Sequence, residues 1–144
     1  MNKLLTWIPA VMVLGAVIYK PVKEATESRL VDKNISFAVY KGSSYASGIY
    51  NNTSAQVHMI VEKVNTKGER TIVWDKTLDS RCLSQYPSAE NALKENITIH
   101  NVNQKKERLV VYYTLTYNSK GSELQMQDGA IVSDYTSGKV DITI

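Results

Sequence analysis

Apolar and polar residues alternate along most of the chain from residue 35 onward, which is the period of half-buried β-strands. The clearest stripe runs over 109–117, where every second residue is apolar or aromatic. β-branched and aromatic residues dominate these runs, as pleated surfaces favour. The apolar positions of the stripes are Phe37 and Val39; Val57, Met59 and Val61; Ile72 and Trp74; Ile97 and Ile99; Leu109, Val111, Tyr113, Leu115 and Tyr117; and Val140, Ile142 and Ile144. The pattern predicts about seven strands, a number typical of small all-β domains.

Turn sequences divide these stripes into hairpins. The segments 65–68 and 118–121 share the pattern Asn-x-Lys-Gly, which suits a type I turn followed by a left-handed glycine. They predict that 56–64 pairs with 69–78 and that 109–117 pairs with 122–127. Asp128-Gly129 predicts a further two-residue turn that leads into a strand over 130–133.

The stretch from 86 to 95 breaks the alternation and predicts one short helical crossover between two sheets. Ser88 follows Pro87 at a suitable N-cap position, and Glu90 lies in the first turn, where it complements the helix dipole. Strands, turns and crossover together predict a β-sandwich of the immunoglobulin or fibronectin III type, with a small barrel as the alternative. The resemblance is one of architecture, so it implies no function.

An apolar segment over residues 4–19, LLTWIPAVMVLGAVIY, lies between Lys3 and Lys20. As a helix it would span about 24 Å, between a signal-peptide core and a full transmembrane helix. Leu14 occupies the first small position of the best cleavage site, which ends at Ala16. This favours an uncleaved signal anchor and an extracytoplasmic domain; the alternatives are a secreted or periplasmic protein after cleavage, and a buried core helix. The predicted organisation is 1–20 signal anchor or signal peptide, 21–34 stalk and 35–144 sandwich.

The composition fits one folded domain, because 43% of the 144 residues are hydrophobic and 22% are charged. The formal net charge of +3 is too small to indicate a nucleic-acid partner. The densest basic run, Lys105-Lys106-Glu107-Arg108, is interpreted as a solvated loop, with a patch for phosphate or lipid headgroups as the alternative.

Residues with catalytic or metal-binding chemistry are few. Cys82 is the only cysteine, and we expect it to be buried as free cysteines usually are. His58 and His100 lack the spacing of metal ligands, and Glu62 would lie about 13 Å along the strand from His58. The sequence contains no nucleophile elbow, no glycine-rich phosphate loop and no histidine-glutamate metal helix. It therefore predicts no catalytic residue, no metal, no cofactor and no enzymatic activity.

The segment 40–54 is rich in tyrosine, serine, glycine and asparagine, a composition typical of antibody paratopes. We identify Tyr45, Tyr50 and Asn52 as candidate contact residues for a ligand or partner. The alternative is an edge strand and its connection, with Tyr45 and Ile49 packed against the sandwich.

Three functions follow as hypotheses. The first is a non-enzymatic module on the outer side of a membrane that binds a protein or glycan partner, with the oligomeric state left open. The second is a structural subunit of an envelope or surface assembly, in which residues 140–144 pair with a neighbouring chain. The third is a hydrolase that uses His58 or His100.

Overall fold

In the computed structural model, residues 29–44, 47–132 and 137–144 are described, and they form two β-sheets. A four-residue helix, α1 (Ser47–Tyr50), and two 3-10 turns, Leu83–Gln85 and Ala89–Asn91, interrupt the strands. The strands are β1 (Leu30–Tyr40), β2 (Thr53–Asn65), β3 (Arg70–Thr77), β4 (Arg81–Cys82), β5 (Leu93–Asn103), β6 (Glu107–Ser119), β7 (Ser122–Val132) and β8 (Ser137–Thr143). The predicted all-β class is confirmed.

The two sheets differ in width. The narrow sheet has the order β5-β1-β8, in which β1 is antiparallel to β5 and parallel to β8. The wide sheet has the order β3-β2-β6-β7 with antiparallel neighbours, and the short β4 pairs with the start of β2, beyond the end of β3. The outer strands are therefore β5 and β8 in one sheet, and β7 and β3 with β4 in the other.

The sheets pack face to face around one core. Phe37 of β1 stacks on Trp74 of β3 across the interface, with ring centroids 5.4 Å apart. Alternate residues of the central strands are completely buried, which confirms the stripes predicted for β1, β2 and β6. The fully enclosed residues of these strands are Phe37, Val39, Ala55, Val57, Met59, Val61, Leu109 and Val111. Burial of this apolar surface is the main force that holds the sandwich together.

The strand directions define two ends of the sandwich. The chain enters at what we call the basal end, where the Gln104 N–H donates to the carbonyl oxygen of Arg29 at 3.3 Å. This end also carries the turns 65–69 and 103–107. The opposite, distal end carries α1, the turn between β6 and β7, and Ile144. β1 begins at Leu30, so its first residues fall in the range 21–34 that the sequence analysis assigned to a stalk.

Both predicted hairpins are confirmed, but their turns differ. At the first, Gly68 has φ +83° and its N–H donates to the Asn65 carbonyl at 3.0 Å, as predicted for a type I turn with a left-handed glycine. At the second, Lys120 and Gly121 both have positive φ, and Ser119 pairs directly with Ser122. That geometry is a two-residue type I′ turn.

The turn predicted at Asp128-Gly129 is wrong, because β7 continues through it to Val132. Gly129 pairs with Tyr112 of β6, and its φ is not positive. A Cβ built on Gly129 would lie 2.8 Å from Cδ1 of the Tyr112 side chain. The glycine therefore makes room for a neighbouring ring inside a strand, where the sequence suggested a change of direction.

The predicted stripe of Ile72 and Trp74 is also wrong. A β-bulge in the pairing of β2 with β3 places Trp74 opposite Val61 and Ile72 opposite Glu62. The bulge changes the phase of the alternation, so Trp74 packs on the core whereas Ile72 is 57% exposed.

Burial of Cys82 is a further prediction that is wrong, since its side chain is exposed. Arg81 lies opposite the buried Ala55, and its guanidinium sits 5.6 Å from the Tyr86 ring centroid. Cys82 alternates to the outer face, and Leu83 then turns into the core. The predicted crossover is present, but its helical part is one 3-10 turn, and Ser88 makes no capping hydrogen bond with its side chain.

The predicted signal anchor lies outside the described residues. Within residues 29–44, 47–132 and 137–144 there is no helix long and apolar enough to cross a membrane.

Candidate functional site

The inner face of β7 is only partly covered, because the narrow sheet is three strands across and the wide sheet is four strands across. Leu124 and Met126 pair with Tyr117 and Leu115 of β6, whose side chains face the core. Side chains directly opposite one another in a ladder point to the same face of the sheet, so Leu124 and Met126 also face inward. They are nevertheless 60% and 54% exposed. This is an apolar surface that the described part of the fold leaves exposed.

The two sheets meet at the basal end of β7 and separate towards the distal end. Val132, the last residue of β7, is buried, and a Cβ built on Gly138 of β8 would lie 2.9 Å from its Cγ1 atom. Further along, Tyr113 is half-buried and its hydroxyl donates to Asp128 Oδ2 at 3.2 Å. The space between β7 and β8 is therefore a wedge that opens distally.

A cavity of about 540 Å³ occupies the wide part of this wedge. Its apolar and aromatic wall is formed by Tyr50, Leu83, Tyr117, Leu124 and Ile144. Its hydroxyl groups come from Ser44, Thr53, Ser119 and Ser122, and Glu123 completes the lining. The size falls in the range of ligand-binding pockets, and an apolar wall with a few polar groups is their usual composition.

Three polar side chains of the cavity are hydrogen-bonded to one another or to a neighbour. Thr53 Oγ1 donates to Ser119 Oγ at 3.1 Å, and Glu123 Oε1 accepts from Gln125 Nε2 at 2.9 Å. Burial raises the pKa of the Tyr117 phenol, and the nearby Tyr50 hydroxyl raises it further. Tyr117 thus stays neutral at physiological pH. Among the described lining residues, Glu123 is the one acidic side chain, and the other polar side chains carry hydroxyl groups.

The second wall of the wedge is the free edge of β8. Ile144 donates its N–H to the Tyr40 carbonyl at 2.9 Å, and its own carbonyl accepts from Gly42 N–H at 3.0 Å. Backbone groups of successive residues in a strand point to opposite sides. Those of Ile144 point towards β1, so those of Thr143 and Asp141 point away from it. In the described part of the fold, no strand pairs with that side of β8.

The three candidate contact residues have separate outcomes. Tyr50 ends α1, is 39% exposed and lines the cavity. Asn52 is exposed in the turn that follows, but it is not part of the lining. Tyr45 lies outside the described residues. Leu124 was not among the predicted contact residues, and Tyr117 was predicted only as a member of the apolar stripe over 109–117.

The histidines do not form a site. His100 Nδ1 lies 2.9 Å from Asp32 Oδ2, and both side chains are largely exposed. His58 faces away from the core on β2 and pairs with Thr77 and Thr114 across the ladder. Among the described residues, no group of three histidine, cysteine or acidic side chains is close enough to hold a metal ion.

Comparison with known proteins gave no relative. The chain matches no protein-family model, no curated protein and no solved structure.

Proposed function

We propose that this chain is a non-enzymatic binding module, held on the outer side of a membrane by residues 4–19, and that it binds an extended segment of a partner protein between β7 and β8. The observation that carries the proposal is the exposed apolar pair Leu124 and Met126 beside an unpaired strand edge. An added strand would pair with β8 through its backbone and cover this apolar surface with its side chains.

A protein segment fits this wedge better than a glycan does. Leu124, Met126 and Ile144 offer aliphatic surface, which suits an apolar side chain from the partner. The hydroxyls of Thr53 and Ser119 already bond to each other, so fewer polar groups remain for sugar hydroxyls. Tyr50 stands at the rim of the cavity, where an aromatic ring gives contact at low entropic cost.

We further propose that the sandwich is of the immunoglobulin or fibronectin III type. In such folds strands B and E are neighbours in one sheet, and strands C, F and G form the other, with C′ added beside C in variable-type domains. The neighbours β1 and β5 match B and E, and the order β3-β2-β6-β7 matches C′-C-F-G, which supports this assignment. The parallel strand β8 beside β1 departs from that pattern.

A second candidate function uses the same edge. If the segment that pairs with β8 belongs to another copy of this chain or to another subunit, the protein is a structural component of an envelope or surface assembly. The unpaired edge of β8 and its position at the end of the narrow sheet favour this alternative.

The test places a photo-crosslinking amino acid at residue 124 of the full chain in its native cells. The matched control is residue 72, because Ile72 is also apolar and 57% exposed but lies on β3, away from the wedge. We expect a discrete protein adduct from position 124 and none from position 72. Asp141→Pro should remove that adduct, since it deletes an N–H that points away from β1 and leaves the ladder to β1 intact.

The other outcomes decide between the alternatives. An adduct with the mass of two copies of this chain identifies the assembly function. Equal adducts at 124 and 72, or none at either position, contradict strand addition in the wedge. Glycan binding that is lost in Tyr50→Ala but unaffected by Asp141→Pro would show that the ligand is a glycan and not a protein segment. Tyr50→Ala should leave the melting temperature nearly unchanged, because Tyr50 is exposed.

A further inference from the structure

The chain enters the sandwich beside a concentration of positive side chains. Arg29 is exposed at the basal end and is held there by the hydrogen bond from Gln104. The turn 103–107 that contains Gln104 also carries Lys105 and Lys106. The facing turn, 65–69, carries Lys67 at its tip. The end from which residues 1–28 depart is therefore basic.

A groove of about 390 Å³ separates the two basal turns. Lys105, Lys106 and Arg108 are exposed and line one side of it together with Glu107. The other side is formed by Val64, Asn65, Thr66 and Gly68. The turn conformations are fixed by side-chain hydrogen bonds. Asn65 Oδ1 accepts from the N–H of Lys67 at 2.9 Å, and Asn103 Oδ1 accepts from the N–H of Lys105 at 3.2 Å. The groove is thus a built feature of two ordered turns.

Three carboxylates lie at this end, Glu107 in the groove lining among them, and each is held by a hydrogen bond or an ion pair. Glu107 Oε2 accepts from the Asn103 N–H at 2.8 Å, and Glu69 Oε2 accepts from Asn65 Nδ2 at 2.5 Å. Glu62 pairs with Arg70 at 3.3 Å. Within the described part of the chain, no carboxylate lies within 4.0 Å of the cationic groups of Lys67, Lys105, Lys106 or Arg108. These four charges are available to an anionic ligand.

We propose that the basal groove docks on the phosphate groups of anionic phospholipids. The proposal rests on the part of the proposed function that places residues 4–19 in a membrane. Residues 20–28 can extend at most about 30 Å, so the basal end is held near the bilayer surface. Lysines close to an anionic surface are attracted by its potential, and exposed ones are free to reach the phosphates. The wedge at the distal end then faces away from the membrane, towards a partner.

The test measures how close each end of the sandwich lies to the bilayer. The full chain is reconstituted in vesicles of phosphatidylcholine, alone or with 30 mol% phosphatidylglycerol, that carry an energy-transfer acceptor on their headgroups. One donor dye is attached to the native Cys82, which is exposed at the distal end. The other is attached to Leu30→Cys in a Cys82→Ser background, at the exposed start of β1, which lies at the basal end and outside the groove lining. We expect stronger transfer from 30 than from 82, and a further rise from 30 when phosphatidylglycerol is present.

Charge removal separates docking from tethering. Each lysine near the surface contributes about fivefold to the affinity for anionic lipid. Lys105→Gln with Lys106→Gln should therefore lower the equilibrium constant for docking on phosphatidylglycerol about 25-fold. The matched control removes two exposed lysines away from the groove, Lys94→Gln with Lys120→Gln, and should leave the approach unchanged. The proposal would be overturned if transfer from 30 did not depend on phosphatidylglycerol, or if both pairs of substitutions changed it equally.

Failure of the anchor is distinguishable from failure of the docking. If carbonate washing releases the chain from phosphatidylcholine vesicles, residues 4–19 do not anchor it and that part of the proposed function is wrong. Binding of the released chain to phosphatidylglycerol vesicles, weakened by Lys105→Gln with Lys106→Gln, would then still support docking. Absence of such binding would refute it.

Discussion

Gly129→Ala tests whether the glycine in β7 makes room for the Tyr112 ring. The new Cβ would lie 2.8 Å from Tyr112 Cδ1 and 3.0 Å from the Val111 carbonyl oxygen, both closer than ordinary contact. Overpacking of this kind costs about 1–3 kcal/mol, whereas replacing glycine by alanine within a strand gains about 0.5–1 kcal/mol. We expect a net loss of about 1–2 kcal/mol in the free energy of unfolding.

A double-mutant cycle identifies the cause of that loss. In a Tyr112→Ala background the closest contact is gone, so Gly129→Ala should become nearly neutral and the coupling energy should be about 1–2 kcal/mol. Tyr112→Phe retains the ring and should retain the full cost of Gly129→Ala. The measurement is unfolding of the full chain in detergent, followed by the β-sheet circular dichroism signal.

Gly121→Ala is the control for backbone strain. Gly121 has φ +82°, and a Cβ added there would meet no atom within 4 Å, so alanine costs about 1–2 kcal/mol through its conformation alone. That cost should be the same with or without the Tyr112 ring. A cycle in which Gly129→Ala also shows no coupling to Tyr112 would refute the packing argument and favour a turn at residues 128 and 129.

Two further predictions concern the core and the basal surface. Met59→Ala should lower the free energy of unfolding by about 2–5 kcal/mol, because Met59 is completely buried. Ile72→Ala, on the exposed face, should lower it by less than about 0.5 kcal/mol. Equal losses would contradict the assigned core. The hydrogen bond with His100 lowers the pKa of Asp32 below its ordinary 3.8, and the Asn101 N–H lowers it further. The contribution of ionised Asp32 to the free energy of unfolding is therefore present above pH 3.8 and is lost as the pH falls through the folded-state pKa. Carboxyl titration by NMR should show the Asp32 pKa rising in His100→Ala; an unchanged midpoint would exclude the contact.

Local sequence patterns predicted the hairpins because their determinants are local. The alternation in β2 and β6 specifies which face is buried, and Asn65 with Gly68 specifies the turn that joins β2 to β3. The same reasoning failed at Gly129, because a glycine that accommodates a ring on the next strand has the same local sequence as a turn. The bulge that turns Ile72 outward also depends on the pairing with β2, so the local sequence of β3 does not predict it.

The candidate site could be predicted only in part for a related reason. Tyr50 was found from the composition of its segment, and it does line the cavity. Leu124 and Met126 alternate with polar residues, as apolar residues do in any half-buried β-strand. The sequence alone therefore indicates that their face of β7 is buried. Their exposure follows from the width of the opposite sheet, which is set by the long-range pairing of β1 with β5 and β8. No window of sequence around β7 contains that information.

The unequal sheets also explain why the open side is at β7 and β8 and why it opens at the distal end. Gly138 lets β8 approach Val132 closely, which closes the basal end of the wedge. β8 is parallel to β1 and its end is bonded to Tyr40 and Gly42, so β8 cannot move towards β7 without breaking that ladder. β8 therefore leaves Leu124 exposed while that ladder is intact, and a segment from outside the described fold could cover it. A bound strand would add to a surface that is already formed, and its affinity would not be reduced by a cost of reorganising the sandwich.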